Sequence, residues 1–82
     1  MTDEARTAEE RTQDFTAMGH SVDLINAIVA GDHDDDMEAE DRQDTVDRNV
    51  EHLQIMVAKD DWDGEDMADA NAAITAGEGY TA

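Results

Sequence analysis

The sequence predicts an all-α protein, a small helical hairpin or three-helix arrangement with a polar N-terminal arm and a short C-terminal tail. The apolar residues fall into three clusters at helical spacing, over residues 15–29, 46–57 and 67–74. The stretches between them are acidic or contain glycine, the composition of turns. No segment alternates apolar and polar residues as a half-buried strand does, and no Asn-Gly or Asp-Gly stands between strand-like runs. The 82 residues are read as one small helical domain.

Residues 1–13 are polar, with no apolar side chain larger than Ala after Met1, and read as an arm that is frayed or extends a helix. Glu10 and Asp14 flank Arg11, and Asp14 has the three-residue spacing at which a helical ion pair forms. Residues 14–30 form the first helix. Phe15, Met18, Val22, Ile25 and Val29 step by three and four, and Leu24 and Ile28 add a second strip beside them. A helix apolar over more than half its circumference needs cover on two sides. Gly19 interrupts the stripe and Ser21 can cap a helix, so one helix or two both fit. Gly31 then ends the segment as a left-handed residue does.

Residues 31–40 are an acidic joint, and residues 41–59 a long amphipathic helix. Val46, Val50, Leu53 and Val57 recur at i, i+4, i+7 and i+11, one narrow stripe to bury at about 100° per residue. Glu38–Arg42 and Asp44–Arg48 have the favourable i,i+4 order. Ile55 lies opposite the stripe and Met56 to one side, where a neighbouring subunit can meet them. Asp63 is the expected N-cap of a short helix over residues 63–76, with Asp66 three positions on and Trp62 and Met67 as a hydrophobic staple. That reading makes Trp62 a clamp between helices. Met67, Ala70, Asn71 and Ile74 share one side of the short helix, Gly77 stops it, and residues 77–82 form the tail.

The formal net charge is −18, and Leu, Ile, Val and Phe together number 12 of 82 residues. Such composition belongs to disordered chains, whereas the periodic clustering argues for folding. The two agree if something outside the chain completes the fold: a second copy, a larger assembly, cations or high salt. With 23 Asp and Glu against one Lys and four Arg, the surface repels nucleic acid and anionic membrane. The same Lys-poor surface suits salty surroundings. No cysteine is present to form disulfides, thiolate metal sites or a nucleophile. No run is long enough for a membrane span, and no signal peptide is visible.

Asp32, Asp34 and Asp36 have the first spacings of an EF-hand loop. Met37 and Gln43 stand where that loop needs Gly and Glu, which leaves only loose cation binding. His20, His33 and His52 lack metal-ligand spacing, and Ser21 with a distant His and Asp makes no triad. Gly77-Glu78-Gly79 precedes no helix, so it is no phosphate loop. No catalytic residue and no cofactor is assigned.

The run Asp47-Arg48-Asn49-Val50-Glu51-His52-Leu53-Gln54-Ile55-Met56-Val57-Ala58-Lys59-Asp60-Asp61-Trp62, followed by Ala72-Ala73-Ile74-Thr75-Ala76-Gly77-Glu78-Gly79-Tyr80, resembles short acidic helical-hairpin segments in proteins of tailed, notably marine, bacteriophages. The likeness covers under half the chain and carries no catalytic residues. It implies a virion-associated subunit, located in a virion or the host cytoplasm, packing against copies of itself or a larger phage structural protein.

The expectation is therefore a non-enzymatic structural or interaction protein. Val22, Ile25, Val29, Val46, Val50, Leu53, Val57, Trp62, Met67 and Ile74 would form its core, and Phe15, Met18, Leu24, Ile28, Ile55 and Met56 its outward contacts. The alternative is an acidic DNA mimic that inhibits a nucleic-acid-binding protein.

Overall fold

The computed structural model describes residues 7–59, 62 and 64–82. Among them are three α-helices, α1 (Ala8–Ala30), α2 (Ala39–Val57) and α3 (Ala68–Glu78), each packed against the other two. No strand occurs among the described residues, and the fold is the all-α three-helix arrangement that the sequence predicts.

Helix α1 begins well before residue 14. Thr7 and Glu10 form a capping box: the Glu10 N–H donates to Thr7 Oγ1 at 3.1 Å, and the Thr7 N–H donates to Glu10 Oε1 at 2.9 Å. Two donors left free at a helix start are thereby satisfied, so residues 8–13 are helical without an apolar stripe. The rest of the arm, residues 1–6, lies outside the described residues. The helix is single and continues through Gly19; Ser21 is no cap but sits inside it, buried. At its end Gly31 adopts φ 88°, donating to Ile28 O at 3.1 Å while the Asp32 N–H donates to Ala27 O at 2.8 Å. This paired reversal satisfies carbonyls of the last turn.

The joint is folded back on itself, with Met37 half-buried against the core and its N–H donating to Asp34 O at 3.0 Å. Arg42 Nη1 donates to the Met37 carbonyl at 2.6 Å and Nε to the Tyr80 hydroxyl at 3.3 Å, so Arg42 serves the joint and the tail in place of Glu38. Gln43 extends this latch, donating to Tyr80 O at 3.3 Å and accepting from the Ala82 N–H at 2.9 Å. The Asp44–Arg48 pair does form, at 3.0 Å, on an exposed surface where such pairs contribute little.

The core consists of Met18, Ile25 and Ile28 from α1, Val46, Val50, Leu53 and Met56 from α2, and Ala70, Ala73 and Ile74 from α3. Met18, Ile28 and Met56, expected as outward contacts, are therefore core residues. Each helix touches two partners rather than one, which widens its buried arc and draws Ile28 of α1 and Met56 on the flank of α2 inside, while Leu24 stays out. Val22, Val57, Trp62 and Met67 pack on the core half-buried. Val29, expected inside, is 40% exposed. Around α1 it lies only about 20° from Met18, but it stands next to the last position of the helix, where Ile28 is covered and Val29 is not.

Helix α3 starts at Ala68 rather than at residue 63. Asp63, the expected cap, lies outside the described residues, and the Asp66 carboxylate accepts from the Ala68 N–H at 2.8 Å. Ala73 faces inward and Asn71 outward, reversing their expected weight. Gly77 does not stop the helix but is buried within it. A Cβ on Gly77 would collide with Val50 Cγ2 and approach Val46 Cγ1 to 3.3 Å and Ile25 Cγ2 to 3.4 Å. Its missing side chain is what lets α3 lie against α1 and α2 together.

Candidate functional site

A groove of about 170 Å³ lies between α1 and the start of α3. Phe15, Met18, Gly19, Val22 and Asp23 reach it from one face of α1, as their spacing of three, four, seven and eight places them. Asp66, Asp69 and Ala70 reach it from the opposite side. Met18 and Ala70 are buried, Val22 is half-buried and Phe15 is 38% exposed, so the lower part is apolar. Asp23, Asp66 and Asp69 are exposed and give it an acidic rim.

One end of the groove is fixed by aromatic contacts. The Phe15 and Trp62 rings meet edge-on, centroids 6.3 Å apart at 66°, a favourable quadrupole arrangement. Trp62 Nε1 donates to the Met56 carbonyl at 2.9 Å, fastening the α2–α3 connection to the end of α2. Arg11 lies 3.9 Å from Glu65, both side chains largely covered, and ties the first turns of α1 to the same connection.

Of the expected contact residues, the structure brings Phe15 and Met18 together at this groove, Met18 as its buried base. Leu24, 48% exposed, lies half a turn around α1 from Phe15, and Ile55, 57% exposed, faces away from the Val46 stripe. Ile28 and Met56 belong to the core. Nothing in the sequence assigns Gly19, Asp23, Asp66, Asp69 and Ala70 to one site; only the packing of α3 across α1 makes them neighbours.

The cation candidates are not assembled. Asp32, Asp34 and Asp36 are exposed, and Asp34 is occupied by its own turn, its side chain accepting from the Asp36 N–H at 3.4 Å. Among the described residues no group of three or more His, Asp or Glu is placed to hold a metal ion. His20, His33 and His52 sit on three separate segments. No helix, among the described residues, is long and apolar enough to cross a membrane.

What the fold defines is a three-helix bundle with a latched tail and one acidic-rimmed apolar groove. Comparison of the chain with family models, with curated proteins and with solved structures finds no match.

Proposed function

We propose that this chain is a non-enzymatic interaction protein that works inside a larger protein assembly. The observation that carries the reading is what remains outside once the core has closed: Phe15, Leu24, Val29 and Ile55 stay exposed on a chain of net charge −18. Scattered exposed apolar side chains are ordinary one by one. Here they are four of only 12 Leu, Ile, Val and Phe residues, so a third of a scarce apolar stock faces outward. The likeness of residues 47–62 and 72–80 to phage helical hairpins supports a virion as the setting, with a copy of the chain or a larger structural protein as the neighbour.

A second reading, the DNA mimic, is favoured by the shape, a slender acidic body of 45 × 24 × 20 Å. Light scattering across a salt series separates the two. An assembly subunit associates as salt screens its repulsion and the apolar side chains meet. A mimic stays monomeric throughout, and its affinity for a basic DNA-binding protein falls steeply with salt.

A further inference from the structure

Gly19 stands near the middle of the 23-residue helix α1, where glycine is disfavoured against any residue with a Cβ except proline. The chain's own packing does not demand it, because a Cβ there meets no atom within 4 Å. Gly77 is the opposite case, with the core pressed against it. Gly19 thus keeps a slot open at a cost to its own helix, as glycine does where another molecule comes close to the backbone.

We propose that this slot seats an arginine side chain from a basic partner protein. The stem lies on Phe15, Met18 and Val22, and the guanidinium lies among Asp23, Asp66 and Asp69. The inference rests on the interaction-protein reading above and names its partner's chemistry. The volume, about 170 Å³, suits one side chain; a cavity of roughly 150 Å³ holds a benzene-sized group. Apolar surface below and carboxylates above match a side chain with an aliphatic stem and a cationic head. A guanidinium also forks onto carboxylates and stacks on an aromatic ring such as Phe15, which an ammonium does less well.

Phosphate groups are repelled by the three carboxylates. A second copy of this chain is a poor occupant, since it brings 23 carboxylates against five Lys and Arg. Among those few, Arg42 and Arg48 are already bonded within the chain and Arg11 lies beside Glu65.

The test is an NMR titration of the full chain at low salt with an alanine-based helical peptide carrying one Arg between Lys residues, and with its Arg→Lys and Arg→Gln analogues. Amide shifts should concentrate at Phe15, Gly19, Val22, Asp69 and Ala70, and the Lys and Gln peptides should bind progressively more weakly. Gly19→Leu, which fills the slot and favours the helix, should weaken the Arg peptide by about tenfold or more. Asp69→Asn should weaken it a few-fold, and Ile55→Ser should leave it unchanged. Circular dichroism of each variant establishes that it is folded. Shifts spread evenly over the acidic surface, equal binding of the Arg and Lys peptides, or wild-type affinity in folded Gly19→Leu would each overturn the proposal. So would loss of salt-induced self-association in Gly19→Leu, which would assign the slot to a second copy. If the Arg peptide does not bind while the chain still associates in salt, the slot proposal falls and the assembly reading stands.

Discussion

The two helical glycines make the sharpest prediction, because the same substitution should change stability in opposite directions. Replacing a helix-interior glycine by alanine ordinarily stabilises by roughly 0.5–1 kcal/mol. Gly19→Ala should show this gain, since its new methyl meets nothing within 4 Å. At Gly77 the gain shrinks, because the residue lies next to the last position of α3. The methyl would also enter the space of Val50 Cγ2, with Val46 and Ile25 closing the other sides. Valine is stiff about χ1, so the collision cannot be relieved by a simple swing, and overpacking of this kind costs about 1–3 kcal/mol. The balance is a loss of about 1–2 kcal/mol, or roughly 5–15 °C in Tm for a domain of this size. Thermal unfolding followed by far-ultraviolet circular dichroism reads both signs. Val50→Ala deletes the colliding methyl, so Gly77→Ala should be better tolerated in that background, with a coupling of about 0.5–3 kcal/mol in the double-mutant cycle. A Gly77→Ala protein that unfolds at or above the wild-type temperature would refute the packing described for α3.

Leu53 is fully buried at the centre of the core, and Leu53→Ala should cost about 2–5 kcal/mol in urea unfolding. Thr7→Ala removes the acceptor of the α1 capping box and should cost about 0.5–2 kcal/mol, with loss of hydrogen-exchange protection confined to the first turns of α1. Arg42→Ala breaks the latch at Met37 and Tyr80 together, and should expose the joint and residues 79–82 to exchange while the amides of Val50 and Leu53 stay protected. Uniform loss of protection across α2 would show that the latch is part of the global fold instead.

The helices were legible because their apolar positions recur at helical spacing, and the inward face of α2 because Val46, Val50 and Leu53 form one stripe. Gly31 could be read as a stop because a left-handed residue after an apolar run has a local cause. Other features depend on which helix lies against which. Met18, Ile28 and Met56 look like outward contacts until α3 covers a second side. Gly77 and Gly31 look alike in sequence, yet one ends a helix by its backbone angle and the other admits Val50 by lacking a Cβ. The start of α1 was missed: its local signal, Thr7 with Glu10 three residues on, precedes residues 8–13, which carry no apolar stripe. The groove joins residues 15–23 to residues 66–70 through tertiary packing alone, which no local pattern reveals.

Trp62 is the chain's one indole. It is held between the Met56 carbonyl, which takes its N–H, and the edge of Phe15, a wall of the groove. The protein therefore contains an intrinsic fluorophore placed between its helix junction and its slot. Its emission wavelength and quenching by iodide or acrylamide can report both undocking of the connection and arrival of an occupant, with no dye attached to the surface.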